Sequence, residues 1–123
     1  MAQGFLQSFN SEIEVHSAGT FPAAKVNPRA IKAMSEVGID ISKNSPKSVD
    51  EYINDQWDYV ITVCDDAKET CPVFPGKVKN RMHLDFEDPS DFTGTEEQII
   101  NEFRRIRDKI DTTFNKFYKD FLI

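Results

Sequence analysis

Hydrophobic positions divide this chain into helical and extended segments. From Thr95 onward, apolar residues recur every three or four positions, which predicts one long amphipathic helix. Thr95 and Gln98 have the spacing of a capping box, which marks the start of that helix. Its aromatic content favours packing against a sheet over a coiled-coil seam. The predicted buried stripe consists of Ile99, Ile100, Phe103, Ile106, Ile110, Phe114, Phe117 and Phe121.

Shorter helices are predicted in the first half of the chain. Phe5, Leu6 and Phe9 give a short apolar helical face. In "VNPRAIKAMSEVGIDIS", Asn27 is a good helix cap, the proline after it suits the first helical position, and Gly38 is a plausible stop. The buried stripe expected for this second helix is Ala30, Ile31, Met34 and Val37.

Three segments are expected to be extended. "IEVHSAG", from Ile13, alternates and leaves into a loop, whereas "YVITVC", from Tyr59, is a continuous apolar run typical of a buried parallel strand. "RMHLDF" is a weaker strand candidate, and Ser48 with Glu51 opens another short helix between the strands. The alternation predicts an α/β fold, a three-layer parallel sheet with flanking helices, in one domain over residues 1–123.

Composition narrows the classes of function. The formal net charge of −6 argues against non-specific nucleic-acid binding, which needs a cationic surface. No apolar run has the length of a membrane span and the N-terminus lacks a signal pattern, so a cytoplasmic protein is the default expectation. In a reducing compartment, the two cysteines are more often free, metal-bound or redox-active than permanently bridged.

The cysteine pair, Cys64 and Cys71, is ambiguous from its spacing alone. On an intact helix, positions seven apart lie about 10.5 Å apart along the axis. A disulfide needs Cα atoms within about 4.4–6.8 Å, so the pair could bond only across a looped segment. Two unrelated cysteines, one buried at a strand end, are the simplest alternative. A zinc site with His16 and His83 is another, although the spacing is not that of a zinc finger.

Several motifs together resemble one enzyme family. "SAGT", "VNPRAIKAMSEVGIDIS", "DYVITVCDDAKETCPVFPGK", "DFEDP" and "EFRRIRDKI" occur in the order and register of the thioredoxin-coupled arsenate reductases. Those enzymes share the low-molecular-weight tyrosine phosphatase fold, and the resemblance runs from Met1 to about Phe117. It favours the redox interpretation of the cysteine pair, because the two cysteines have the separation found in that family.

The resemblance implies a relay of three cysteines with no cofactor other than thioredoxin as electron donor. A nucleophilic cysteine attacks arsenate, Cys64 attacks that first sulfur and releases arsenite, and Cys71 attacks Cys64. Thioredoxin then reduces the Cys64–Cys71 disulfide. Each step is a thiolate attack at sulfur, so the cysteines must meet in sequence. Asp88 matches the general acid of the family, although an Asp-Pro pair also forms turns.

The family pattern also implies that a catalytic segment is missing. Those enzymes open with a strand and an oxyanion loop close to Cys-Thr-Gly-Asn-Ser-Cys-Arg-Ser, and Met1 matches a methionine just after that loop. We therefore expect that this chain, without the nucleophilic cysteine and the oxyanion-binding arginine, cannot reduce arsenate. Ser17 is kept from the potassium site of one family member, but Gln3 and Lys47 replace acidic residues there. We therefore expect no metal site, and Ser17 and Lys47 remain candidates for oxyanion or cation binding.

The missing strand would lie between the strand near residues 12–16 and the strand near residues 59–63. We expect the remaining strands either to close on each other or to be covered by a homodimer or an exchanged dimer. Two alternatives to an arsenate reductase are a non-catalytic redox or interaction module that keeps a Cys64–Cys71 switch, and a tyrosine phosphatase relative. The cysteine pair disfavours the phosphatase, which has no need of it.

Overall fold

The described residues form helices that pack around a parallel sheet. The structure, a computed structural model, describes residues 1–19, 25–63 and 74–122. Its main elements are α1 (Ala2–Phe9), α2 (Pro28–Ser35), β1 (Gln56–Thr62), β2 (Lys77–His83) and α3 (Glu96–Phe117). Single 3-10 turns lie at Val49–Glu51 and Pro89–Asp91, and a π-helical turn at Tyr118–Leu122 follows α3.

The sheet consists of β1 and β2, which run parallel from the Gln56–Lys77 pair to the Thr62–His83 pair. Both strands begin earlier than their apolar runs predict. Tyr59 and Ile61 alternate along β1 and pack against the core, and the Tyr59 ring lies 5.4 Å from that of Phe117 on α3. The predicted α/β fold, with parallel strands flanked by helices, is confirmed.

Helix α3 supplies most of the core. Its capping box is formed as predicted: the Thr95 side chain accepts from the Gln98 backbone, and the Gln98 side chain accepts from Thr95. Six residues of the predicted stripe are buried: Ile100, Phe103, Ile106, Ile110, Phe114 and Phe117. Phe121 is 51% exposed because it lies beyond the end of α3, so its inclusion in the stripe was wrong. No helix in the described ranges is long and apolar enough to cross a membrane.

The predicted caps of α2 are confirmed. Asn27 Oδ1 accepts a hydrogen bond of 2.9 Å from the Arg29 backbone at the start of the helix. After its end, Gly38 has φ +81° and the Ile39 N–H donates to the Met34 carbonyl over 3.0 Å. This is the pattern of a Schellman motif, in which glycine supplies the left-handed residue.

The buried stripe of α2 differs from the prediction at Ile31, which is only partly buried, at Ala33 and at Val37. Ala30 and Met34 are buried as expected, and Ala33 is fully buried although it was not predicted to be. Val37 is 44% exposed, because the helix ends at Ser35 and the valine lies in the turn that caps it. The helical period therefore no longer applies at that position.

The segment predicted as the first strand, residues 13–19, forms no strand. Within the described residues, its backbone pairing is limited to one bridge between Gly19 and Ser48. The Gln3 and Gln7 amides on α1 donate to the Val15 and Ile13 carbonyls over 3.2 and 3.0 Å. A strand needs a partner backbone, and here side chains replace one. The expected direct closure of this segment on β1 is not seen in the described ranges.

The short helix predicted after Ser48 is a single 3-10 turn. The Ser48 hydroxyl accepts from the Asp50 backbone over 3.2 Å, so the predicted N-cap is confirmed. The turn ends at Glu51. Between it and β1, the Tyr52 carbonyl accepts a hydrogen bond from Nε1 of Trp57.

A polar network joins α2 to α3 at the edge of the core. Arg107 is 9% exposed, and its guanidinium donates to the buried Ala33 carbonyl over 3.0 Å and to Glu36 over 2.9 Å. Arg104 also donates to Glu36, over 2.7 Å. Hydrogen bonds from Arg104 first, and then from Arg107, lower the pKa of Glu36 to about 2.

Candidate active site

The carboxyl ends of β1 and β2 bring three polar side chains together. Thr62 is the last residue of β1 and His83 the last of β2, and the register pairs them directly. The Thr62 hydroxyl lies 2.6 Å from Nδ1 of His83. On the other side of the ring, Nε2 of His83 contacts a carboxylate oxygen of Asp85. The carboxyl edge of a parallel sheet is where α/β proteins commonly bind ligands.

An ionised carboxylate only accepts, so a hydrogen bond between Asp85 and Nε2 of His83 is donated by the ring. The Thr62 hydroxyl also donates to the Met82 carbonyl over 3.4 Å. The His83 and Asp85 side chains are 31% and 60% exposed, so the cluster is open to solvent.

Cys64 and Cys71, the two cysteines of the predicted relay, lie outside the described residues. In the sequence, Cys64 follows Thr62 by two positions. The Thr62–His83–Asp85 cluster lies at the end of the strand after which Cys64 follows in the sequence.

Asp88 begins the turn that follows β2. Its carboxylate accepts from the Ser90 backbone over 2.9 Å and from the Ser90 hydroxyl over 2.7 Å, and the adjacent Pro89 is buried. Asp88 also lines an open cleft of about 240 Å³ whose walls include the carboxylates of Glu87 and Glu102. The turn-forming role that was the alternative for this Asp-Pro pair is thus observed, and its role as a general acid stays a prediction.

Ser17 and Lys47 lie on either side of the bridge between residues 19 and 48. The Ser17 hydroxyl donates to Gln3 Oε1 over 2.6 Å, so it is engaged with α1. The Lys47 carbonyl accepts from the Gly19 N–H over 2.9 Å. These contacts help to hold the segment in place, and a role of Ser17 or Lys47 in binding an oxyanion or a cation stays a prediction.

The two histidines do not come together as a zinc site would require. His16 pairs with Glu14 over 2.8 Å and packs between the rings of Tyr52 and Trp57, with centroids 5.2 and 5.4 Å away. His83 belongs to the cluster at the strand ends. Across residues 1–19, 25–63 and 74–122, no group of three or more His, Cys, Asp and Glu side chains could hold a metal.

The Thr62–His83–Asp85 cluster was missed by sequence reasoning. Thr62 and His83 are 21 positions apart, and only the parallel register makes them neighbours. The available signal was the His-Leu-Asp triplet directly after a predicted strand, since residues at the carboxyl end of a strand reach the same edge of the sheet.

Comparison with known proteins identifies similar chains. A family model described as low molecular weight phosphotyrosine protein phosphatase matches residues 1–121. An arsenate reductase of Oceanobacillus iheyensis is 43% identical over 120 residues, covering 97% of this chain and 85% of that protein. An arsenate reductase of Bacillus subtilis is 42% identical over 118 residues, covering 95% of this chain and 84% of that protein.

Solved structures give the same result. A structure described as an arsenate reductase in the reduced state superposes with a TM-score of 0.75 at 26% identity, covering 97% of this chain and 86% of that one. One described as an arsenate reductase in the oxidized state has a TM-score of 0.70 at 27% identity, covering 91% and 80%.

Proposed function

Because this chain belongs to the low molecular weight phosphotyrosine protein phosphatase family, we propose that it serves the reduction of arsenate to arsenite through a cysteine relay that thioredoxin regenerates. The observation that carries the proposal is the similarity to arsenate reductases along almost the whole chain. The two cysteines have the separation that the family relay requires.

Cys64 and Cys71 have the resolving roles in this proposal. Cys64 attacks the sulfur of the nucleophilic cysteine and releases arsenite, and Cys71 then forms the Cys64–Cys71 disulfide. Asp88 protonates the departing oxygen. Thioredoxin returns two electrons and two protons to the disulfide, and no other cofactor takes part.

The nucleophile is not one of the residues 1–123, because the sequence has two cysteines and the relay uses both for resolution. We therefore expect residues 1–123 by themselves to show no arsenate turnover. Ser17 and Lys47 have no assigned ligand. A cytoplasmic location follows from the relay, since a reducing compartment keeps these thiols available.

A homodimer or an exchanged dimer is part of the proposal. Among the described residues, β1 pairs with β2 along one edge and with no strand along the other. Its apolar residues Val60 and Ile61 are only half-buried. An unpaired edge of this kind is a template for another strand. Light scattering of the purified chain should give a dimer mass, and a monodisperse monomer that melts cooperatively would refute dimer formation.

The relay is tested by following NADPH oxidation with thioredoxin and thioredoxin reductase. After oxidation with diamide, reduction of the chain should consume one NADPH per Cys64–Cys71 disulfide. The Cys71→Ser variant cannot form this intrachain disulfide, so no NADPH should be consumed for its reduction. Added arsenate should cause no further turnover. If the oxidised chain consumes no more NADPH than Cys71→Ser, the resolving role is wrong, and if arsenate drives turnover, the absence of the nucleophile is wrong.

The second candidate is a redox module without arsenate chemistry. The two-cysteine composition favours it, because a Cys64–Cys71 switch needs no further cysteine. This candidate predicts the same stoichiometric reduction by thioredoxin. It differs from the leading proposal by predicting no arsenate turnover even when the catalytic loop is restored ahead of Met1.

A further inference from the structure

The outer edge of β1 carries a row of backbone groups that have no partner among the described residues. The Thr62 carbonyl accepts from the Leu84 N–H over 2.8 Å, and it therefore points toward β2. The Asp58 carbonyl also faces β2, because it accepts from the Asn80 side chain over 3.1 Å. The backbone groups of successive strand residues point alternately to the two sides of a strand. The residues that direct their N–H and C=O groups to the outer edge are therefore Trp57, Tyr59 and Ile61.

An exposed aromatic ring lies beside this edge. Phe121 is 51% exposed, and the centroid of its ring lies 6.4 Å from that of Tyr59. Tyr59, Val60 and Ile61 are themselves only half-buried, although they form the apolar part of β1. Unpaired backbone groups and partly exposed apolar side chains thus occur together, and a further strand would remove both from water.

Residues 13–17 do not supply this strand. The carbonyls of Ile13 and Val15 accept from side chains of α1 over 3.0 and 3.2 Å. The ring contact of His16 with Trp57, at 5.4 Å, lies near the start of β1. The middle of the strand therefore stays available to a second chain.

The outer edge of β1 is complementary to a second copy of itself. In an antiparallel pair, two residues that face each other across the edge exchange both of their hydrogen bonds. Full overlap of Gln56–Thr62 with its copy places Tyr59, the middle residue of the strand, on the twofold axis. Trp57 then faces Ile61 of the copy, so all three outer residues find partners.

Charge does not oppose this register. Asp58, the acidic residue of β1, would lie opposite Val60 of the copy and would meet no like charge there. Asp58 is also paired with Lys79 on β2 over 3.4 Å. The strand contains no other charged side chain.

We propose that two copies of this chain pair antiparallel along the outer edge of β1, with Tyr59 on the twofold axis and Phe121 covering the junction. The inference rests on the proposed function only for the existence of a dimer. It specifies a side-by-side dimer, in which each chain keeps its own elements, rather than an exchanged one.

The test places a single cysteine on the axis. In a background with Cys64→Ser and Cys71→Ser, Tyr59→Cys leaves one thiol in each chain. Residues that face each other in a hydrogen-bonded antiparallel pair have Cα atoms about 5.5 Å apart, which is within the range of a disulfide. Oxidation with copper phenanthroline should therefore convert most of the chain to a covalent dimer on a non-reducing gel.

Ile61→Cys is the matched control, because Ile61 is also half-buried and also directs its backbone to the outer edge. The residue opposite Ile61 is Trp57 of the copy, so the two engineered thiols lie four residues apart, or about 14 Å along the strand. This variant should stay mostly monomeric on the gel. Equal cross-linking of the Tyr59→Cys and Ile61→Cys variants would overturn the proposed register.

A second set of variants spares the core. Asp58 and Val60 lie outside the buried cluster, so the Asp58→Cys/Val60→Cys double variant tests the pairing even where Tyr59→Cys fails to fold. These two residues face each other in a non-hydrogen-bonded pair, whose Cα atoms are about 4.5 Å apart. The double variant should cross-link, and neither single variant should.

The exposed ring is tested without any cysteine in the interface. Phe121→Ala should raise the dissociation constant of the dimer in sedimentation by about tenfold or more, because a buried phenylalanine is lost on each side. Phe92→Ala is the control, since Phe92 is a 41% exposed aromatic residue that follows the turn at Pro89–Asp91. It should leave the dissociation constant unchanged, and equal effects of the two variants would contradict the role of Phe121.

The outcomes separate this inference from the proposed function. A dimer that cross-links neither through Tyr59→Cys nor through the double variant overturns the inference and leaves the proposed dimer in place. A monomeric mass refutes both. If the predicted cross-links form and thioredoxin still fails to reduce the oxidised wild-type chain, the relay is wrong and the strand pairing stands.

Discussion

The contact between Arg107 and α2 provides a quantitative test of the fold. Ala33 is among the last four residues of α2, whose carbonyls lack regular donors within the helix, and it is fully buried. The Arg107 guanidinium donates to that carbonyl over 3.0 Å. Arg107→Met keeps an apolar stem of similar length but removes the donor.

The structure sets the size of the effect. Leaving a buried carbonyl without a donor costs about 1–3 kcal/mol. Glu36 keeps Arg104 as a partner in the variant, so the loss centres on the carbonyl. In a chain of this length, about 2 kcal/mol corresponds to a fall in Tm of roughly 8 °C. Arg107→Lys keeps the charge but not the planar fork, and should recover only part of the loss.

Arg105→Met is the matched control on the same helix. Arg105 is 50% exposed and pairs with the carboxylates of Glu87 and Glu102 without a backbone contact. Exposed pairs contribute about 0–1 kcal/mol, so its Tm should change little. Urea unfolding followed by circular dichroism, with both cysteines kept reduced, gives the free energy of unfolding. Equal losses for the two variants would refute the role assigned to the Ala33 carbonyl.

Three further predictions concern stability and local order. Because the pKa of Glu36 is lowered from 4.5 to about 2, the stabilisation of the folded state by this carboxylate is present above about pH 4.5 and is lost as the pH falls toward 2. Glu36→Gln should therefore flatten the fall in Tm over that interval, and an unchanged slope would contradict this. Gly38→Ala should lower the stability by about 1–2 kcal/mol in urea titrations, because φ is +81° there, whereas a neutral effect would count against the Schellman cap. Gln7→Met removes the donor to the Ile13 carbonyl, so amide hydrogen exchange in residues 11–17 should become faster than in α3, and uniform exchange rates would show that the glutamine does not hold the segment.

Local signals in the sequence predicted the helices well. The capping box at Thr95 and the Asn27 cap involve residues within three positions of each other, so the pattern contains the whole interaction. Val37 and Phe121 were assigned to buried stripes because the helical period was continued past the true helix ends. Helix ends depend on capping geometry that periodicity does not contain.

Features that depend on distant partners were not predictable in the same way. Residues 13–18 have an alternating pattern, but a strand also needs a neighbouring backbone, and in this region the Gln3 and Gln7 side chains occupy the carbonyls. The contact between Thr62 and His83 likewise depends on the register of β1 on β2. Asp88 was recognised from its motif, and its contacts with Ser90 show only the turn that it forms.

The most direct test of the proposed relay supplies a nucleophilic cysteine to residues 1–123, whose two cysteines have the resolving roles in the proposal. A chimera carries the strand and oxyanion loop, with Cys-Thr-Gly-Asn-Ser-Cys-Arg-Ser, ahead of Met1, and is assayed for arsenate-dependent NADPH oxidation with thioredoxin and thioredoxin reductase. We expect sustained turnover by the chimera, no turnover by residues 1–123 alone, and loss of turnover in the chimera when Cys64→Ser is introduced. A folded chimera that remains inactive, or one that keeps its turnover without Cys64, would contradict the account.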